Sequence, residues 1–133
     1  MPLPADSKNL GSIGEKIARR YLENKGYRIL DKNYSTSIVS GPKTGEIDII
    51  CQKEGVISFV EVKTLTQRVG DYFAPEDKVD FKKQRKIIMT AERWLSERKI
   101  PLDGQWQIDV VAVRIDADAK KAKISYFGNV GSA

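Results

Sequence analysis

Two runs rich in β-branched and aromatic residues, Glu46–Gln52 and Val56–Lys63, are separated only by Lys53-Glu54-Gly55. So short a break, ending in glycine, predicts a β-hairpin with Glu54-Gly55 as the two loop residues. Lys53 then faces Val56, Asp48 faces Glu61, and Glu46 faces Lys63. Opposed residues point to the same side of a sheet, and alternate residues share a face. This register gathers Glu46, Asp48, Glu61 and Lys63 on one face and puts Ile47, Ile49, Val60 and Val62 on the other. A turn displaced by one residue would send every side chain to the opposite face, so turn and site stand or fall together.

Two carboxylates directly opposed on otherwise apolar strands repel, and stability alone does not select such a pair. A cation between them relieves the repulsion, as does protonation of one carboxyl. Lys63 supplies part of that charge. A divalent metal held by Asp48, Glu61 and the backbone carbonyl of Val62 would supply more. The plain alternative is an exposed sheet face whose cross-strand charge pairs contribute about 0.2–1 kcal/mol each. Glu-x-Lys by itself carries little information, since it also occurs at Glu23-Lys25, Glu76-Lys78 and Glu97-Lys99. Only Glu61-Val62-Lys63 ends an apolar strand and has an acidic partner on the strand before it.

The rest of the chain surrounds the hairpin with helices and further strands. Leu10, Ile13, Gly14, Ile17, Ala18 and Tyr21 recur at intervals of three and four, which predicts a helix over about Asn9–Lys25. Ser12 and Glu15 have the spacing of a capping box, with Ser7 and Asn9 as alternative, earlier starts, and Gly26 suits the left-handed residue that ends a helix. A short strand follows at Tyr27–Leu30, then a polar loop over Ser35–Gly45. Thr64–Asp77, with Gly70 and Pro75, reads as an irregular crossing. A second helix is predicted over about Lys78–Arg98, with Ile87, Ile88, Ala91, Trp94 and Leu95 facing inward. Trp106–Arg114 reads as a strand and Lys123–Phe127 as an edge strand. The fold class is therefore α/β: a mixed β-sheet with a central hairpin flanked by helices. No repeat or linker divides residues 1–133, which predicts a single domain.

Composition narrows the chemistry. The 133 residues contain no histidine and one cysteine, Cys51. Histidine-based triads and dyads, His-containing zinc sites, internal disulfides and Cys-rich clusters are thereby excluded. A bound metal must be held mostly through oxygen, which favours magnesium, manganese or calcium. The formal net charge is +5. Between Lys78 and Lys99 the chain carries Lys78, Lys82, Lys83, Arg85, Lys86, Arg93, Arg98 and Lys99 against only Asp80, Glu92 and Glu97. A basic helix of this kind suits a polyanion partner, although a solvated helix face has the same composition. No apolar stretch is long enough to span a bilayer, and Met1–Asp6 lacks the features of a secretory signal. These point to a cytoplasmic protein that does not engage membranes. Cys51 lies on the apolar side of its strand and reads as a buried small hydrophobe. Trp94 and Trp106 read as core, while Tyr72-Phe73 is a candidate base or partner contact.

Gly45-Glu46-Ile47-Asp48-Ile49-Ile50 and Phe59-Val60-Glu61-Val62-Lys63-Thr64 together resemble the core motif of the restriction endonuclease-like, PD-(D/E)xK nuclease superfamily. More narrowly, the chain resembles the YraN-like family of small bacterial proteins, themselves similar to archaeal Holliday junction resolvases. The likeness extends to Gly14-Glu15 with Ala18, to Lys83-Gln84-Arg85-Lys86 with Ala91, and to Asp109-Val110-Val111, all in the expected order.

This resemblance implies a metal-dependent endonuclease acting on DNA, with branched or partly single-stranded substrates favoured and Mg2+ (or Mn2+ in its place) as cofactor. Asp48 and Glu61 match the metal-binding acids and Lys63 the catalytic lysine. Glu15 matches a helical glutamate that reaches the metal or its water. Lys83 matches a position near the phosphates, and its neighbours Lys82, Arg85 and Lys86 extend a nucleic-acid-binding surface. The alternative is a non-catalytic nucleic-acid-binding module of the same fold within a DNA-processing assembly. A homodimer would suit cutting of two strands, but no residue pattern marks a dimer surface. The chain departs from the family at Leu65, where an arginine is common, at Gln107-Ile108-Asp109, where Arg-Phe-Asp is favoured, and in a longer loop over Ser35–Thr44. None of these touches Asp48, Glu61 or Lys63. Lost arginines weaken the expected grip on substrate phosphates.

Overall fold

The computed structural model describes residues 10–36, 45–67, 81–116 and 118–130; the side chains of residues 67 and 81–84 lie outside that description. Tyr72 and Phe73 lie outside it as well. Helix α1 spans Leu10–Asn24, strand β1 Arg28–Ser35, β2 Glu46–Lys53 and β3 Val56–Gln67. Helix α2 spans Phe81–Glu97, followed by β4 at Trp106–Asp116 and β5 at Lys121–Phe127. The strands form one five-stranded sheet in the order β1-β2-β3-β4-β5. All neighbours are antiparallel except β3 and β4, which run parallel. A parallel pair needs a crossover connection, and α2 lies within it.

The hairpin has the predicted register. Lys53 pairs with Val56 and the ladder runs to Ile49 opposite Val60. Glu54 and Gly55 both take positive φ, 52° and 80°, the conformation whose twist matches that of the strands it joins. Helix α1 ends as predicted. Gly26 has φ 95°, and Tyr27 N–H reaches back to Leu22 O at 3.0 Å, closing a Schellman motif. Helix α2 ends the same way, with Ile100 N–H on Leu95 O at 2.9 Å, but the left-handed residue is Lys99, φ 57°.

The sheet separates two apolar layers. On one face α1 buries Ile13, Ile17, Ala18 and Leu22 against Ile49, Cys51, Val60, Val111, Val113 and Ile115. On the other, α2 buries Ile87, Ala91, Trp94 and Leu95 against Ile47, Ile50, Ile57, Phe59 and Ile108. Phe59 sits edge-on between Trp94 and Trp106, with ring centroids 5.7 and 5.6 Å away. Cys51 is buried, as its strand position predicted, and burial pushes its thiol up to about 12.

Several expectations need correction. Strand β1 does not end near Leu30: it runs to Ser35, paired with β2 along its length. Thr64–Gln67 is not irregular: β3 continues through it, because β4 offers parallel partners as far as Gln67 opposite Asp116. Ser12 is not a helix cap, since α1 already includes Leu10 and Gly11, and Glu15 is released from the capping role. Finally, Ile47 does not share a face with Ile49. It packs with Ile50 against α2, whereas Ile49 packs against α1. The alternation slips between them, at Asp48. The neighbouring pairs Lys32 with Ile49 and Tyr34 with Ile47 place Asn33 across from Asp48, and Asn33 has φ 51°. Asparagine tolerates this left-handed conformation better than most residues. A local twist in both strands therefore takes Asp48 out of simple alternation.

Candidate active site

Asp48 lies where β2 and β3 part. The backbone ladder ends at Ile49 opposite Val60. One step beyond, the Asp48 carboxylate replaces a main-chain acceptor, and Val62 N–H donates to its Oδ2 at 2.8 Å. Asp48 and Glu61 do not pair as a ladder rung; the Asp48 side chain bonds the backbone of Val62, the next residue after Glu61. Glu46 does not face Lys63 across a ladder; it pairs with Ser35 on β1 and is exposed.

Glu61 and Lys63 share the face opposite Val60 and Val62. Lys63 Nζ lies 3.3 Å from Glu61 Oε1, with 21% of the lysine side chain and 10% of the glutamate side chain exposed. Their neighbours on β4 are Val110 and Ala112, both buried. An ammonium held against a carboxylate on an apolar floor is screened less than a surface pair.

Burial pushes the Asp48 carboxyl up to about 7. The Val62 hydrogen bond opposes the rise, and the carboxylates of Glu15, Glu61 and Glu46 add to it. The charges of Glu15 on α1, Glu46 on β2 and Glu61 on β3 all act on Asp48. Glu15, half-buried on α1, belongs to this group.

Two glycine contacts hold the walls. A Cβ on Gly14 would meet Thr64 Oγ1 at 1.8 Å, so α1 lies directly on β3 next to Lys63. A Cβ on Gly45 would meet Thr90 Oγ1 at 1.8 Å and Lys86 O at 2.9 Å, so the start of β2 lies directly on α2. Each glycine precedes one of the acids, Glu15 and Glu46. Sequence reasoning missed both contacts, although the repeated Gly-Glu dipeptide was a visible signal. Nothing in the sequence marked Thr64 or Thr90 as their counterparts.

The other predicted residues divide. Arg85 and Lys86 are exposed on α2. Lys82 and Lys83 are on the same helix, and their side chains lie outside the described set. Trp94 is 2% exposed and its Nε1 donates to Asp31 Oδ2 at 3.1 Å, which commits it to the core. Trp106 is half-buried and donates to Leu102 O at 2.9 Å. Asp109 is fully buried and has a structural set of partners: the Tyr126 hydroxyl, Gln107 Nε2 at 2.9 Å and Asn129 N–H at 2.7 Å.

Among the described residues, no three His, Cys, Asp or Glu side chains come close enough to enclose a metal by themselves. Asp48 and Glu61 offer oxygen donors, the kind a hard cation takes. Repulsion around Asp48 is the property such an ion would relieve.

The chain is 39% identical over 123 residues to a UPF0102 protein of Alkaliphilus oremlandii and 41% identical over 123 residues to one of Alkaliphilus metalliredigens. Each match covers 92% of this chain and 97% of the relative. Among solved structures, it is similar to an XisH family protein from Nostoc punctiforme, with a TM-score of 0.40 and 14% identity, covering 86% of this chain and 98% of that one. It is also similar to SfsA of Pyrococcus furiosus in complex with Ca2+, with a TM-score of 0.36 and 16% identity, covering 95% and 64%. No helix among the described residues is long and apolar enough to cross a membrane. The family model for the uncharacterised protein family UPF0102 matches residues 14–113, and the chain belongs to that family.

Proposed function

We propose that this protein is a metal-dependent endonuclease of the PD-(D/E)xK type that hydrolyses DNA phosphodiester bonds. One observation carries the reading: a half-buried Asp48, raised by burial and by three surrounding carboxylates, stands beside a Glu61–Lys63 ion pair at the point where two strands part. A perturbed acid beside a carboxylate–amine pair suits catalysis better than stability.

Asp48, Glu61 and the Val62 carbonyl would hold magnesium, with manganese as a substitute. A magnesium ion bound there would polarise a phosphoryl oxygen and lower the pKa of water. Lys63, tethered by Glu61, places its charge where negative charge grows on phosphorus. The Glu15 carboxylate accepts a hydrogen bond from the attacking water and orients it. Arg85 and Lys86, with Lys82 and Lys83 on the same helix, bind flanking phosphates.

The test is cleavage of labelled duplex, single-stranded, flap and four-way-junction DNA with magnesium or manganese, beside an Asp48→Ala variant purified identically. Cleavage that vanishes in the variant sustains the reading and ranks the substrates, branched DNA being favoured. Absence of cleavage with salt-sensitive binding intact would replace it with a non-catalytic DNA-binding module.

A further inference from the structure

Among the described residues with positive φ, all but one lie at a turn, a helix end or a strand end. Glu54 and Gly55 make the hairpin turn, Gly26 and Lys99 end the helices, Lys120 lies in the turn between β4 and β5, and Asn129 follows β5. Asn33 is the exception. Its φ of 51° falls inside β1, between Lys32 paired with Ile49 and Tyr34 paired with Ile47. The left-handed conformation costs an L-residue energy, and in mid-strand no change of chain direction accounts for it. What changes there is facing. Asp31 and Tyr34, three residues apart, both reach α2: Asp31 Oδ2 accepts from Trp94 Nε1 at 3.1 Å, and the Tyr34 hydroxyl donates to Glu97. Ile47 and Ile50, also three apart, both pack against α2, while Ile49 packs against α1. In a regular strand an odd separation puts residues on opposite faces. Both strands therefore roll across Asn33 and Asp48.

The roll gives Asp48 neither face. Its half-buried side chain runs edgewise toward β3, where the carboxylate accepts Val62 N–H at 2.8 Å. An edgewise group can be reached from both sides of the sheet. Glu15 comes from α1 on one side, Glu61 stands on the other with Phe59, and the charges of both act on Asp48. In a regular strand Asp48 would share the face of Ile50, within the α2 layer, and Val62 N–H would lose this acceptor. We infer that Asn33 is the positioning residue of the site: its left-handed backbone, set opposite Asp48, holds the Asp48 carboxylate in the plane of the sheet, where residues from both faces act with it. The inference rests on the proposed nuclease reading for what the site does and adds what sets its geometry. The Asn33 side chain is exposed, so the position supplies a backbone conformation rather than packing. Asparagine and glycine enter the left-handed region readily, and alanine does not.

Asn33→Gly and Asn33→Ala remove the same amide and differ chiefly in their access to positive φ. Backbone hydrogen exchange is followed in the full-length protein without metal, reading Val62 N–H against the amides of β4, which is paired on both sides. Asn33→Ala is expected to speed Val62 exchange about five- to thirty-fold relative to that standard, the factor equivalent to the left-handed penalty. Asn33→Gly should keep the wild-type ratio. A wild-type ratio in Asn33→Ala overturns the inference. Loss of that ratio in Asn33→Gly also overturns it, because the side-chain amide would then be acting, and this holds even if Asn33→Ala fails to fold. Cleavage of DNA with magnesium is measured on the same proteins. Asn33→Ala should cut about tenfold or more slowly and Asn33→Gly as wild type does; equal cleavage by all three overturns the part of Asn33 in the site. A wild type that cuts nothing while the exchange pattern holds removes the nuclease and leaves Asn33 as the residue that sets Asp48.

Discussion

Val62 donates its backbone N–H to Asp48 Oδ2 at 2.8 Å, one step past the last rung of the β2–β3 ladder. A carboxylate thus completes the backbone pairing that the diverging strands leave open. The bond also fixes where the Asp48 charge sits, with Glu61 and Lys63 flanking Val62 on β3.

Asp48 should cost stability at neutral pH. Its carboxyl is raised from 3.8 to about 7, so between these values the folded state holds a proton that the unfolded chain releases. Stability from this group is present below pH 4 and is lost as pH rises through about 7. Asp48→Asn should melt higher than wild type at pH 8 by several degrees, roughly 1–2 kcal/mol, and the gap should close toward pH 4. Magnesium should raise the Tm of wild type and leave Asp48→Asn unmoved. Calorimetry across this pH range, with and without magnesium, checks both statements. A stabilising effect of magnesium on the variant would place the metal elsewhere.

Lys63→Ala should separate catalysis from binding. Its ammonium stabilises charge that appears only as phosphorus is attacked, so cleavage should fall by about 100-fold or more. DNA affinity should change by less than about ten-fold, the share of one phosphate contact. Single-turnover cleavage and equilibrium binding on the same substrate give the two numbers. Equal losses would make Lys63 a binding residue.

Two glycines of α1 should respond oppositely to alanine. Nothing lies within 4 Å of a Cβ at Gly11, whereas one at Gly14 meets Thr64 Oγ1 at 1.8 Å. Gly11→Ala should gain about 0.5–1 kcal/mol of helix stability. Gly14→Ala should lose about 1–3 kcal/mol by forcing α1 off β3. Urea denaturation of the two variants measures both. Similar values would mean that α1 is not seated as tightly as the Gly14–Thr64 contact requires.

Tyr126→Phe should destabilise the protein by about 1–3 kcal/mol, because the buried Asp109 loses a hydrogen-bond donor. Burial, then the bond to Asp109, holds the Tyr126 hydroxyl well above the ordinary tyrosine range. Above pH 10 the unfolded chain ionises this tyrosine and the folded one does not, so wild-type stability should fall with rising pH there. Denaturation of both proteins from pH 9 upward should show a steeper fall in wild type, since Tyr34 and Cys51, also raised on folding, remain in both.

Local rules in the chain were enough for the order and type of the elements and for the hairpin register near its turn, but not for the lengths of β1 and β3. A two-residue turn leaves one alignment open to Lys53 and Val56, and apolar residues at intervals of three and four leave one face for each helix to bury. Asp48, Glu61 and Lys63 were legible because their spacing is a property of that single hairpin. The twist at Asn33 and Asp48 was not, since it depends on β1 lying alongside β2, and it is what parts Ile47 from Ile49. The extension of β3 through Gln67 depended on a partner strand that follows α2 in the chain. The seats of Gly14 on Thr64 and Gly45 on Thr90 likewise join different elements. Sequence periodicity decides which face an element buries. Only packing decides what that face meets, because close contact is set by the volumes of residues far apart in the chain.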